Sequence, residues 1–170
     1  DLPNSHPGRN ESLDQEAENI FRRAVKLPLD DSYLEQLYTI NQAYNGEKGI
    51  TVAYFILVPG YRISRQDRSL WLSASRIDRD NPDIKIINYA IQRLRWKIEY
   101  TNVVYSLLPA EFTLSELQMT YQAILGKKLD KRNFRKKILS LGLVKSSGNK
   151  KTGIKARPAR MYEFKKRKPV

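Results

Sequence analysis

Apolar residues recur at helical spacing in the segment 130–141, DKRNFRKKILSL. At about 100° per residue, three of them share one face, namely Phe134, Ile138 and Leu141. Asp130 is a favourable N-cap residue, and Gly142 stands where helices often end. This pattern predicts a short helix with one packing stripe and a strongly cationic face roughly opposite that stripe.

A second helix is predicted immediately before this one. Thr113 and Glu116 have the spacing of a capping box, and Phe112 with Leu117 matches a hydrophobic staple. An apolar stripe then continues to Gly126, which predicts the helix end. The two predicted helices are therefore joined by a short basic turn.

A basic hairpin is predicted after the two helices. A strand begins at 143–144, the segment 146–156 is a Gly- and Lys-rich loop, and 160–164 is a returning strand. A helix-turn-helix followed by such a hairpin is the outline of a winged helix, whose second helix enters the major groove of DNA.

The first hundred residues predict a mixture of helices and strands. Helices are expected at 11–27, 84–100 and, as a short piece, 102–108, and strands are expected at 33–40, 50–58 and 70–72. Asn45-Gly46 is a turn signal between the first two strands.

Composition restricts the function classes. The 170 residues are 41% hydrophobic, which supports a packed core, and they include no cysteine and a single histidine, His6. Disulfides, cysteine-ligated zinc and thiol catalysis are therefore excluded, and the cytosol is the expected compartment. No apolar run approaches the roughly 18 residues that a membrane span needs, and no secretory signal opens the sequence.

The net charge of +13 is unevenly distributed. Residues 127–170 carry 17 of the 31 lysines and arginines but 2 of the 18 acidic residues, which gives a net charge of +15. The other 14 basic and 16 acidic residues leave the rest of the chain at −2. Because a localised positive excess predicts a polyanionic partner, duplex nucleic acid is the leading candidate.

Several long strings of this sequence resemble a known protein family. The first is LLPAEFTLSELQMTYQAILGKKLDKRNFRKKILSLGLV, followed by RPARMYEF, and it includes the specific string LDKRNFRKK. It closely resembles the winged-helix domain of the Nudix-related transcriptional regulators, the NrtR family. IINYAIQRLRWKIEYTN resembles the helix that leads into that domain. The segment 33–59 resembles part of the family's Nudix-like domain.

The resemblance implies an α+β fold, in which a partial Nudix-like α/β/α sandwich domain is followed by a C-terminal winged helix-turn-helix domain. We expect the Nudix-like domain at residues 1–83, a connecting helical segment at 84–108, and the winged helix with a basic tail at 109–170. The opening LPNSHPGRNESL aligns with a motif just before the Nudix helix, so the first strands of that domain are expected to be lacking.

The Nudix hydrolase box has the pattern G-x5-E-x7-R-E-U-x-E-E-x-G-U, where U is a bulky apolar residue, and its glutamates hold a divalent metal. With Glu11 as the first glutamate, the three main metal-ligand positions hold Ile20, Arg23 and Ala24. Glu16 and Glu18 lie at the wrong spacing and are interpreted as a solvated helix face. We therefore predict that the chain is not an enzyme and has no metal site and no cofactor.

The cationic helix supplies the candidate DNA contacts. Arginine suits guanine edges and asparagine suits adenine, although most such residues contact only phosphate. The candidates on the helix are Lys131, Arg132, Asn133, Arg135 and Lys136. Lys127 and Lys128, in the turn, are expected to hold the DNA backbone.

The hairpin supplies further candidates. Three lysines are placed to reach phosphate or the minor groove, Lys150, Lys151 and Lys155, and the alternative is that they belong to a merely flexible loop. Arg157 and Arg160 flank Pro158 as in the family, which implies pairing with phosphate or with the leading helix. The segment 165–168 is interpreted as a disordered basic tail.

The resemblance also implies that the Nudix-like domain senses an effector, ADP-ribose or a related nucleotide sugar. It further implies dimerisation, which places two winged helices on a palindromic operator. Because guanidinium groups suit phosphate, Arg62, Arg65 and Arg68 are the candidate effector-binding residues. The alternative is that they are plain surface arginines.

These observations favour a homodimeric transcriptional regulator that binds double-stranded DNA, expected to be a repressor that is cytoplasmic and nucleoid-associated. A sequence-non-specific nucleic-acid-binding module is the alternative. The two classes differ in the ratio of specific to non-specific affinity. An active Nudix hydrolase is a third class, which the substitutions in the box oppose.

Overall fold

The computed structural model describes residues 2–8, 11–25, 27, 29, 32–41, 49–64, 71–151 and 158–168. The chain forms two compact units, Asp1–Arg93 and Leu94–Val170. The boundary between them falls inside a helix, Ile84–Tyr100. The domain divisions expected after residues 83 and 108 remain predictions.

The amino-terminal unit begins with helix α1, Leu13–Val25, which confirms the first predicted helix. The helix starts with a reciprocal cap. The Ser12 hydroxyl accepts from the backbone N–H of Gln15 at 3.2 Å, and the Gln15 side chain accepts from the Ser12 N–H at 3.2 Å. Ala17 and Phe21 are buried and give α1 its inner face.

Two strands, β1 (Tyr33–Asn41) and β2 (Ile50–Leu57), pair antiparallel where the sequence predicted strands. One irregularity, between Gln36 and Tyr38, interrupts their register. The turn predicted at 45–46 lies outside the described residues. The buried residues of the two strands are Tyr33, Leu37 and Ala53.

Helix α2, Ile84–Tyr100, agrees with the prediction. Asp83, just before it, is buried, and its carboxylate accepts from the backbone N–H of Leu2 at 2.7 Å. The third predicted strand is wrong for Trp71 and Leu72, which belong to no strand among the described residues and are 40% and 77% exposed. A short apolar run forms a strand only when a neighbour satisfies its backbone groups.

After the end of α2, the described residues of the carboxyl-terminal unit form six further elements in chain order. They are a 3-10 helix (Val103–Leu107), β3 (Phe112–Thr113), α3 (Leu114–Leu125), α4 (Lys131–Ser140), β4 (Val144–Lys151) and β5 (Ala159–Phe164). The three strands form an antiparallel sheet in the order β3-β5-β4. This arrangement confirms the α+β class and the winged helix. Strand β3 was not predicted, because two residues carry too little pattern.

Aromatic pairs hold this unit together. Phe112 and Leu117, the two residues of the predicted staple, are 0% and 1% exposed. The Phe112 ring centroid lies 4.9 Å from that of Phe164, which joins β3 to β5. The Tyr121 ring centroid lies 5.3 Å from that of Phe134, which joins α3 to α4.

The segment 165–168 is tied to the body of this unit, so its interpretation as a disordered tail is wrong. The Asn102 side-chain amide donates to the carbonyl oxygens of Lys166 and Lys168 at 2.9 and 3.0 Å. Arg167 donates to three further backbone carbonyls at 3.0, 3.0 and 3.1 Å, those of Tyr105, Leu108 and Pro109. The Arg167 bonds satisfy carbonyl groups at and after the end of the 3-10 helix, which composition alone does not reveal.

Candidate nucleic-acid interface

Helix α3 is capped at both ends. The Thr113 hydroxyl accepts from the Glu116 N–H at 3.2 Å, and the Glu116 carboxylate accepts from the Thr113 N–H at 2.7 Å, which confirms the predicted capping box. At the other end Gly126 has a φ of 68°, a left-handed conformation that favours glycine. The Arg95 Nε also donates to the carbonyl of Ile124 at 3.0 Å.

Two glutamine side chains of α3 fix the turn that leads into α4. Gln118 Nε2 donates to the carbonyl of Leu129 at 2.8 Å, and Gln122 Oε1 accepts from the N–H of the same residue at 2.8 Å. Asp130 is the N-cap of α4, as predicted, and accepts from the Asn133 N–H at 2.8 Å. The start of α4 is therefore held by side chains on both sides of the turn.

Helix α4 and the turn present basic residues to solvent. The exposed basic residues are Lys127, Lys128, Lys131, Arg132, Lys136 and Lys137, and the neutral Asn133 is exposed beside them. Phe134 and Ile138 are buried as predicted, but Leu141 follows the helix end and is 45% exposed, so its predicted packing is wrong.

Arg135 also departs from its predicted place, because it is half-buried and its Nε is buried without a hydrogen-bond partner in the described structure. Three residues turn a helix by about 300°, which puts Arg135 beside Ile138.

The predicted wing contacts differ in whether their side chains form an ion pair. Lys150 and Arg160 are exposed and lie opposite each other on β4 and β5. Lys151 Nζ lies 2.5 Å from a carboxylate oxygen of Glu116. Strand β4 continues to Lys151, so the prediction of a loop is wrong for residues 146–151. Two further predicted contacts lie outside the described residues, Lys155 and Arg157.

The sequence interpretation missed the residues that hold this surface in place. Besides the two glutamines of the turn, Asn149 Nδ2 donates to Glu111 Oε1 at 2.8 Å. An asparagine in a strand and a glutamate before a helix carry no pattern that links them. The one available signal is that residues 111–116 include acidic side chains and residues 149–151 include basic ones. These side chains come into contact only because the strands of the sheet pair.

The amino-terminal unit contains a cleft of about 810 Å³ between α1, β2 and the opening segment. Its lining includes Ile20 and Ala24 of α1, and its described lining residues include no lysine or arginine. Arg62 lies instead at the end of a short 3-10 helix, Gly60–Arg62, and is half-buried. The other two candidate effector residues, Arg65 and Arg68, lie outside the described residues.

Glu16 lines this cleft and is 6% exposed, so its interpretation as part of a solvated face is wrong. Hydrogen bonds from Ser5 and from Arg23, the latter at 2.9 Å, lower the pKa of the Glu16 carboxyl. Glu18 lies on the outer side, where it pairs with Arg22 at 3.7 Å. Among the described residues no group of three or more His, Cys, Asp or Glu side chains is placed to hold a metal ion.

Two capped helices joined by a fixed turn, with a three-stranded sheet and an exposed basic face, define a winged-helix protein. Residues 104–164 match the family model of the NrtR DNA-binding winged helix domain, which confirms the resemblance for this part of the chain. In the described part of the chain, no helix combines the length and apolar character needed to span a membrane.

The comparisons extend beyond this domain. Over 148 residues the chain is 35% identical to the ADPR responsive transcriptional repressor NtrR of Acinetobacter baylyi, an alignment that covers 82% of this chain. The chain spans 59% of that protein's length. The crystal structure of Shewanella oneidensis NrtR complexed with a 27mer DNA matches with a TM-score of 0.74 and 27% identity, over 92% of this chain and 74% of that one.

A second crystal structure of Shewanella oneidensis NrtR matches with a TM-score of 0.68 and 24% identity, over 92% of this chain and 74% of the other. At that identity the likeness concerns the fold. The solved structures of NrtR therefore share the mixed helix and sheet architecture of this chain. The Acinetobacter relative is named a transcriptional repressor, and one of the Shewanella structures is named a complex with DNA.

Proposed function

We propose that this protein is a transcriptional repressor whose winged helix binds double-stranded DNA. The observation that carries the proposal is the exposed basic face of α4, held in place by Gln118, Gln122 and Asp130. On this face Arg132 and Asn133 are the candidates for base contact, and the exposed lysines are candidates for phosphate. Arg135, being half-buried, is a weaker candidate than its position in the sequence suggested.

The proposed mechanism is that of a homodimer on a palindromic operator. Two recognition helices would enter successive major grooves about one helical turn apart, because the symmetry of the protein must match that of the site. The relative of known structure was crystallised with a 27mer DNA, which supports duplex DNA as the partner. A localised charge of +15 in residues 127–170 would supply the phosphate affinity.

The amino-terminal unit is proposed to be non-catalytic and to sense a nucleotide metabolite. The Acinetobacter relative is named as ADPR responsive, which supports ADP-ribose or a related nucleotide sugar as the effector. Loss of hydrolysis is supported by Ile20, Arg23 and Ala24 at the expected metal-ligand positions, and by the pairing of Arg23 with Glu16. Arg62, Arg65 and Arg68 remain the proposed effector contacts.

The deciding experiment is a titration of the protein with duplex DNA from the region upstream of its own operon, against a scrambled competitor at physiological salt. We expect a preference of about 10³ or more for one palindromic duplex. Equal, steeply salt-dependent binding to both duplexes would instead identify a non-specific nucleic-acid-binding module. Magnesium-dependent turnover of ADP-ribose would contradict the non-catalytic assignment.

A further inference from the structure

Between the pairs Ser146–Tyr162 and Lys150–Arg160, strand β4 of the wing has two more residues than β5, which is an irregularity of the bulge type. Gly148 in this bulge has a φ of 87°, which glycine adopts without a steric penalty. A bulge increases the local twist of a strand and re-aims the side chains that follow it. Here Asn149 and Lys151, two residues apart, both extend across β5 toward the start of α3.

Two acidic residues receive these side chains. Asn149 Nδ2 donates to Glu111 Oε1 at 2.8 Å, and Lys151 Nζ donates to Glu116 Oε1 at 2.5 Å. The second carboxylate oxygen of Glu116 accepts from the N–H and the hydroxyl of Thr113 at 2.7 and 2.9 Å. One carboxylate therefore joins the N-cap of α3 to the outer strand of the wing.

The Glu116 carboxylate is charged at neutral pH. Its partial burial acts to raise its pKa, but the hydrogen bonds from Lys151 and Thr113 outweigh that effect and hold the pKa below its ordinary value. The Lys151 side chain is 43% exposed and that of Glu116 is 34% exposed, so the pair lies at the surface and its strength is modest. Its consequence is geometric, because it ties the wing to the helix-turn-helix.

We propose that Glu116 is a positioning residue, which holds the wing in its DNA-binding position through Lys151, and that Lys150 is the wing lysine that contacts phosphate. This inference rests on the proposed function. Adjacent residues of a strand point to opposite faces, so Lys150 points away from the face on which Lys151 is paired. Lys150 is exposed, and no ion pair of Lys150 occurs within the described ranges.

The test uses Glu116→Gln, because glutamine also serves at this position of a capping box. The amide keeps one accepting oxygen for the cap, but it loses the negative charge and the second accepting oxygen that Lys151 uses. The matched control is Glu163→Gln, on the same sheet, whose carboxylate pairs with Lys145 at 3.0 Å. Removing a negative charge ordinarily strengthens binding to a polyanion. We expect Glu116→Gln instead to weaken operator binding about threefold, while Glu163→Gln does not weaken it.

The dependence of binding on salt separates the two lysines. Lys150→Met should reduce the slope of log K against log[salt] by about 0.9, as expected for one lost phosphate contact. Lys151→Met should weaken binding with the slope unchanged. The double variant Glu116→Gln/Lys151→Met should bind no more weakly than either single variant, because both changes remove the same link.

Equal or tighter binding by Glu116→Gln would overturn the proposal, as would a reduced slope for Lys151→Met. Circular dichroism of each variant verifies the fold, and Lys151→Met keeps the test decisive if the glutamine variant is unstable. A wild-type protein that binds the selected duplex no better than the scrambled one would instead refute the proposed function. The two failures are therefore distinguished by the wild-type titration alone.

Discussion

The guanidinium of Arg167 lies 5.9 Å from the ring centroid of Tyr105 and donates to the carbonyl of that residue at 3.0 Å. The same side chain also donates to the carbonyls of Leu108 and Pro109. Arg167 thus anchors the chain after β5 to the 3-10 helix and the segment that follows it. A run of four basic residues that looks like a solvated tail is in part an internal clamp.

Arg167→Ala should lower the free energy of unfolding by about 1–3 kcal/mol, because three backbone carbonyls lose a charged donor. Urea unfolding followed by circular dichroism measures the change. The control is Lys166→Ala, whose side chain is exposed and whose replacement should change stability by less than about 0.5 kcal/mol. Equal destabilisation by both changes would argue against a clamp specific to Arg167.

Arg132→Ala should weaken binding to the preferred duplex by about 1–3 kcal/mol and relax the preference at one base pair, if Arg132 reads a base edge. The residue is exposed on α4, so its removal should leave stability nearly unchanged. Titrations with cognate and scrambled duplexes measure the two affinities. Lys166→Ala is again the comparison, since loss of a phosphate contact alone would lower both affinities alike.

The sequence predicted most of the helices because their end signals are local. The Thr113–Glu116 box, the Asp130 cap and Gly126 each act within one turn of helix, so the residues themselves determine the element. The strands β1 and β2 were likewise predictable from β-rich runs. The same reasoning failed at Trp71 and Leu72, where the apolar pattern forms no strand among the described residues.

The candidate site was predictable in composition but not in its contacts. Helical geometry identified the basic face of α4, yet it misplaced Arg135, whose Nε is buried. The pairing of Lys151 with Glu116 joins residues 35 positions apart in the sequence. Such a contact depends on strand register and on a bulge, neither of which is encoded in a local pattern.

Tyr121 should make the fold sensitive to alkaline pH, because burial raises the pKa of its hydroxyl to about 12. In the unfolded chain this group titrates at about pH 10. The contribution of the Tyr121 hydroxyl to the free energy of unfolding is therefore fully present below about pH 10. It is lost as the pH rises toward about 12, because the unfolded state releases its proton first. Its full size is on the order of 2–3 kcal/mol.

Urea unfolding measures this effect between about pH 8 and about pH 11, a range that brackets the pKa of a free tyrosine hydroxyl. Tyr121→Phe retains the ring that packs on Phe134, and its stability should fall less steeply with pH than that of the wild type. Tyr61→Phe is the control, because Tyr61 is 59% exposed. Parallel pH profiles for the wild type and Tyr121→Phe would show that this hydroxyl is not protected from solvent.

We expect Gln118 to stabilise the turn before α4 and thereby to fix the position of that helix. Gln118→Met preserves the length of a buried side chain but leaves the Leu129 carbonyl without its donor, which should cost about 1–3 kcal/mol. Because Gln122 still holds the N–H of Leu129, the turn should loosen without losing α3. Urea unfolding measures the cost, and duplex titration should show weaker specific binding.

The informative comparison is Ser115→Ala, an exposed change on the same helix that should alter stability by less than about 0.5 kcal/mol. Amide hydrogen exchange adds a local measurement, since opening of the turn should speed exchange at Leu129 and at Asn133, whose N–H is held by the N-cap. If Gln118→Met exchanges there at the wild-type rate and binds DNA normally, then Gln122 and Asp130 are sufficient to fix α4.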